Sequence, residues 1–174
     1  YYVDANFSML HHYEEDADNP KSISSNGIYD LEFGKRGILW IASYGGGVNY
    51  FNSNQLPFQN ITHELNKKNS LIVNFTRAIA KDNNGKLWFG TKKGTSIYDE
   101  KNNSWTHIET LSKNPNNAKD IVLALEADGD YMWIGTYNNG LYKINTSTLV
   151  SERFTDIETN PRLLKKVYTC LLYT

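Results

Sequence analysis

Short runs of apolar and β-branched residues, separated by clusters of Gly, Asn, Asp and Ser, follow one another along most of the chain. Ile28-Tyr29-Asp30-Leu31-Glu32-Phe33 alternates apolar and polar positions, the period of a half-buried strand. A turn at Gly34-Lys35-Arg36-Gly37 leads into Ile38-Leu39-Trp40-Ile41-Ala42, and Gly45-Gly46-Gly47 leads into Val48-Asn49-Tyr50-Phe51. Asn52-Ser53-Asn54 closes that run before Phe58-Gln59-Asn60-Ile61. Strand-length runs punctuated by turn residues predict a four-stranded antiparallel unit.

The same grammar returns twice. Thr76 to Ala80, Lys86 to Gly90, Ser96 to Tyr98 and Trp105 to Ile108 form a second set, with turns at Asp82-Asn83-Asn84-Gly85, Gly94 and Asp99 to Asn103. Ile121 to Glu126, Tyr131 to Gly135, Gly140 to Ile144 and Val150 to Phe154 form a third, with turns at Asp128-Gly129-Asp130 and Asn145-Thr146-Ser147. Leu39-Trp40-Ile41-Ala42-Ser43 recurs as Leu87-Trp88-Phe89-Gly90-Thr91 and Met132-Trp133-Ile134-Gly135-Thr136, with the tryptophans 48 and 45 residues apart. A period of that length with four strands per unit is the signature of β-propeller blades. Helical periodicity is missing, and a two-sheet sandwich would not produce the repeat.

The fold class expected is therefore all-β, an arc of four-stranded antiparallel blades at residues 26–73, 74–119 and 120–166. Residues 1–25 fit the end of a preceding blade, with Tyr1 to Asp4 and Met9 to Tyr13 as its last two strands. Residues 167–174 fit the first strand of a further blade, at Val167 to Leu172. Asn19-Pro20, Asn114-Pro115 and Asn160-Pro161 mark equivalent connections between blades. Closed propellers need about four to eight blades, so these residues alone are not expected to close a ring. Open blade faces and unpaired strand edges would then favour further blades of the same parent chain, or a second copy, as partners.

Composition narrows the function classes. The net charge is −1 with acids and bases interspersed, which offers no field for nucleic acid. No apolar run reaches the roughly 18–20 residues of a membrane span, so direct insertion by this segment is not expected. A lone Cys170 excludes an internal disulfide.

Most candidate chemistry dissolves into architecture. Trp40, Trp88 and Trp133 offer faces for a sugar ring, but their regular placement argues for packing between blades, largely buried. Gly45-Gly46-Gly47 lacks the Lys-Ser/Thr and helix of a phosphate loop, and reads as a tight turn using positive φ. Asp128-Gly129-Asp130 is too short for a calcium loop. His11, His12, His63 and His107 have no metal-ligand spacing, and no metal or other cofactor is expected. No Gly-x-Ser-x-Gly elbow is present, and Glu14-Glu15-Asp16 reads as a solvated charge run.

What varies between otherwise similar units is more informative. Just after the Trp motif the units carry Tyr44, Lys92-Lys93 and Tyr137-Asn138-Asn139. At the start of the first strand they carry Tyr29, Arg77 and Leu123. In a blade, the connection before the first strand and that between the second and third lie at the same end. Tyr29, Tyr44, Arg77, Lys92 and Tyr137 are therefore the candidate ligand-binding residues. Arg77 and Lys92, from one unit, are expected to hold a sulfate or uronate while the tyrosines supply stacking faces.

Asp82-Asn83-Asn84-Gly85-Lys86-Leu87-Trp88-Phe89-Gly90-Thr91 and Trp133-Ile134-Gly135-Thr136-Tyr137-Asn138-Asn139-Gly140-Leu141-Tyr142-Lys143-Ile144-Asn145 resemble the two-component regulator propeller repeat. Ala42 and Ser43 depart conservatively from the Gly-Thr usual there. The resemblance implies a non-catalytic, ligand-sensing part of the periplasmic region of a hybrid sensor histidine kinase, with a small-molecule ligand of carbohydrate type. Two other classes stay open at this point. One is a propeller enzyme similar to the streptogramin lyases, which would need a His and a carboxylate converging on the axial face. The other is a protein-interaction scaffold, as in Trp-Asp repeat propellers.

Overall fold

The structure, a computed structural model, describes residues 2–3, 9–19, 21–34, 37–52, 55–109, 111 and 120–154. The strand expected at 167–174 and the Asn114-Pro115 and Asn160-Pro161 connections lie outside the described residues. β1 (Tyr2–Val3) and β2 (Met9–His11) form an antiparallel pair. The first full sheet comprises β3 (Ile28–Phe33), β4 (Ile38–Ser43), β5 (Gly47–Asn52) and β6 (Gln55–Ile61). The second comprises β7 (Thr76–Lys81), β8 (Leu87–Thr91), β9 (Gly94–Asp99) and β10 (Ser104–Ile108). The third comprises β11 (Val122–Asp128), β12 (Tyr131–Thr136), β13 (Leu141–Asn145) and β14 (Ser151–Phe154). All three are antiparallel meanders in sequence order. β11 starts one residue later than Ile121 and runs through Asp128, so the hairpin after it turns on Gly129, at φ 56°, and Asp130.

Each sheet lays its face on the one before. β7 packs on β3 and β4, and β11 on β7 and β8, with the first strands side by side. Between the first two sheets lie Trp40, Ala42, Val48, Leu71, Ile79, Leu87 and Phe89. Between the second and third lie Trp88, Ile97, Val122, Leu125 and Met132, with others. Hydrophobic burial in these two seams is what joins the units, since a lone twisted sheet cannot hide its own apolar face.

The repeated residues have repeated jobs. Ser43, Thr91 and Thr136 each donate a hydroxyl to the carbonyl of the glycine that opens the third strand, Gly47, Gly94 and Gly140, at 3.0, 2.8 and 2.7 Å. Those glycines have φ of 80°, 106° and 83°, and a Cβ on Gly94 would meet the Ile108 carbonyl oxygen at 2.1 Å. Side chains are thus excluded there by both conformation and space. Gly90 serves the seam instead: a Cβ there would lie 2.6 Å from Val122 Cγ1. The Asp before the first hairpin, Asp82, accepts the Trp88 indole N–H at 2.9 Å and the Lys86 amide at 2.9 Å. Asp128 does the same for Trp133 at 3.2 Å.

Connections between blades repeat as well. Asn26, Asn74 and Asp120 accept the amides of Glu15, His63 and Leu111 at 2.7, 2.5 and 2.6 Å, pinning the end of one blade to the start of the next. Trp40 and Trp88 are 3% and 0% exposed, as expected for inter-blade packing. Trp133 corrects that expectation. It holds the equivalent register, opposite Lys143 as Trp40 is opposite Tyr50 and Trp88 opposite Ile97, yet it is only half-buried. Its face of the third sheet is the one turned away from the second, and no described sheet covers it.

Candidate functional site

The first strand of every sheet contains a bulge at the same place. Ile28 pairs with Ser43 and Asp30 with Ala42, skipping Tyr29. Thr76 pairs with Thr91 and Ala78 with Gly90, skipping Arg77; Val122 pairs with Thr136 and Ala124 with Gly135, skipping Leu123. A bulge leaves its extra residue out of the ladder and re-aims its side chain. The three residues singled out by their variation are thus the three that the ladder does not use.

The turn residues are strapped to the same end. The amides of Tyr44, Lys92 and Tyr137 donate to the carbonyls of Gly27, Phe75 and Ile121, at 2.8, 3.0 and 2.9 Å. Each bond ties the turn after the second strand to the residue just before the first. The backbone beneath inner and outer positions is therefore fixed in every blade, while the side chains above are free to differ.

Four of the five candidate residues come together, through a fifth that sequence reasoning missed. The Arg77 guanidinium lies 5.5 Å from the centre of the Tyr29 ring. Tyr29 and Tyr44 are 5.9 Å apart, and Tyr44 meets Phe75 edge-on at 5.5 Å. The Lys92 ammonium sits 5.3 Å from the Phe75 ring. Tyr29 and Tyr44 keep 46% and 55% of their surface exposed, unusual for rings that only pack. Tyr137 holds the equivalent turn on the third sheet and is half-buried. Phe75 occupies the register of Gly27 and Ile121; a large ring on a connection where another unit has glycine was the available signal. Arg77 and Lys92, from one unit, each sit against a ring of this aromatic row, Tyr29 and Phe75.

Below this rim the first strands line a groove of about 360 Å³, with Tyr29, Arg77 and Leu123 joined by Asp30, Glu32 and Glu126. Asp30 is committed to the backbone, accepting the Ile79 amide of the next sheet at 2.7 Å and the Leu31 amide at 2.9 Å. Lys81 donates to the Phe33 carbonyl at 2.6 Å and lies 3.7 Å from Glu32. Burial nevertheless holds the Glu32 pKa above the ordinary carboxylate value; the nearby lysine opposes that rise and Asp30 and Glu126 add to it. Among the described residues no group of three or more His, Cys, Asp or Glu is placed to hold a metal ion. His63, on the connection after β6, and His107, on the outer strand β10, are paired with the Leu71 and Lys68 carbonyls, and neither lines the groove.

Stacked four-stranded meanders whose first strands lie side by side define a β-propeller array. Within it, residues 70–93 match the family model of the two component regulator propeller. The chain is 30% identical over 104 residues, 54% of its length, to "Histidine kinase P4" of Formosa agariphila, and covers 7% of that protein. Its fold is shared with two extracellular domains from B. thetaiotaomicron, both described as parts of hybrid two component systems. One has a TM-score of 0.69 at 21% identity, covering 83% of this chain and 20% of that one. The other has a TM-score of 0.69 at 18% identity, covering 93% and 19%. The chain thus spans about a fifth or less of the length of these relatives. No helix among the described residues is long and apolar enough to cross a membrane.

Proposed function

We propose that this chain is a non-catalytic, ligand-sensing propeller segment in the periplasmic sensor region of a hybrid two-component system whose output is a histidine kinase, and that its ligand is a carbohydrate. The observation that carries the proposal is the bulged rim. Three first strands leave one residue each out of the ladder at the same end; two of these are the well-exposed Tyr29 and the cation Arg77, and beside them stand Tyr44, also well exposed, and the cation Lys92. Aromatic faces with a few directed polar groups are what a polyhydroxylated ring needs. The matched repeat and the relatives named above support the sensor setting. The ligand acts by binding one arrangement of the propellers better than another and so shifting the kinase equilibrium. Further blades of the parent protein, or a second copy, cover the faces that carry Leu31 and Phe33 on one side and Trp133 and Phe154 on the other; Leu31, Phe33 and Phe154 are 54%, 62% and 48% exposed.

Arg77→Ala in the full-length protein tests the assignment. Calorimetry is expected to show weaker ligand binding, with a thermal midpoint close to wild type, because that guanidinium contributes to the fold a cation–π pair with Tyr29 worth only about 1 kcal/mol. Unchanged affinity would remove the site from this rim.

A further inference from the structure

The carbohydrate reading leaves open which glycans the rim accepts. Resting on that reading, we infer that the ligand is an acidic oligosaccharide bound across the seam between the first and second sheets.

The contacts run in a row: Arg77, Tyr29, Tyr44, Phe75, Lys92. Two of them, Arg77 with Tyr29 and Tyr44 with Phe75, cross from one sheet to the other. The row begins and ends on a cation. Neither cation has a carboxylate within ion-pair distance among the described residues, where the ion pairs are Lys67 with Glu64 and Lys81 with Glu32. Lys93, exposed beside Lys92, adds positive charge to the same turn. Each ring satisfies one face of its cation and leaves the remaining donors to solvent, where a carboxylate or sulfate makes a charge-assisted hydrogen bond. Arg77 and Lys92 each take a ring of their own, Tyr29 and Phe75, so both keep hydrogen-bond donors for the acidic groups of one oligosaccharide. The exposed tyrosines between them offer stacking faces for the rings that join those groups.

The groove sets a limit on the pose. Glu32 and Glu126 line it beyond the rim, and the Asp30 carboxylate is spent on the Ile79 and Leu31 amides. Their like charge keeps an anion from descending along the first strands, so the ligand lies across the rim. Leu123, the bulged residue of the third sheet, is 9% exposed and uncharged, which confines the acid-reading part to the first seam.

The test uses the full-length protein and two probe sets in calorimetry: oligogalacturonate, alginate and chondroitin sulfate oligosaccharides, against methyl-esterified oligogalacturonate and neutral galacto-oligosaccharides. An acidic probe is expected to bind and the neutral ones not, with affinity falling as salt is raised. Arg77→Gln and Lys92→Gln are each expected to weaken that binding roughly ten- to hundred-fold, the loss of one charged hydrogen-bond partner. Lys92 is an exposed turn residue, so its variant carries the test even if Arg77→Gln disturbs folding. Binding confined to neutral probes, or acidic binding unchanged by both Arg77→Gln and Lys92→Gln, overturns the inference and leaves the sensor reading standing. Binding of no probe in either set overturns both.

Discussion

Asp82 and Trp88 show how much a single repeated residue carries. The indole N–H of a fully buried ring ends on the carboxylate of Asp82, a residue itself 3% exposed, and that carboxylate also accepts the Lys86 amide across the hairpin. In the first sheet Gly34 takes the place of that Asp, and the buried Trp40 Nε1 has no hydrogen-bond partner among the described residues. Asp82→Ala is expected to cost about 1–3 kcal/mol, the desolvation penalty of a donor left unmatched, read from urea unfolding with Trp fluorescence. A loss no larger than that of an exposed control such as Asn102→Ala would show that the bond contributes nothing. Gly90→Ala should cost a similar amount, about 1–3 kcal/mol, because its Cβ would press on Val122. The recurrence of Asp, Trp, Gly and Thr was legible in the sequence, but their partners were not. Those partners belong to other turns and to the next sheet, which local pattern does not register.

All four strands of each sheet were legible from their alternation and turn residues, and most boundaries moved by a residue or two as ladders extended into the turns. The bulges were not legible. A bulge changes which residue faces its neighbour without changing residue type, so Tyr29, Arg77 and Leu123 were found by comparing units. The same strands carry the charges that pass between sheets. The folded pKa of Glu32 is raised mainly by burial, so its contribution to stability is full below the unfolded value and is lost as pH rises through the folded one. Glu32→Gln removes that loss. Its stability relative to wild type is expected to increase as pH rises from about 3 to about 7, across the carboxylate range, measured by urea unfolding at each pH. Parallel profiles for the two proteins would contradict the burial argument.

At the scale of the molecule, the first seam is where architecture and candidate function meet. The core of Trp40, Leu87 and Phe89 sets the angle between two sheets, and that angle decides whether Arg77 reaches Tyr29 and Tyr44 reaches Phe75. Phe75 escaped sequence reading because its role comes from a neighbour on the other sheet. Trp133 departed from expectation because burial there depends on what covers the third sheet. The central claim is that ligand is read on the bulged rim, at the end where Tyr29, Tyr44, Arg77 and Lys92 meet. A structure of the full-length protein bound to an oligosaccharide that elicits its signal tests this directly. The account predicts sugar rings against Tyr29 and Tyr44 and acidic groups at Arg77 and Lys92. A ligand seated at the opposite end, beside the hairpin tips where Asn83 meets the Gly129 carbonyl, would contradict it.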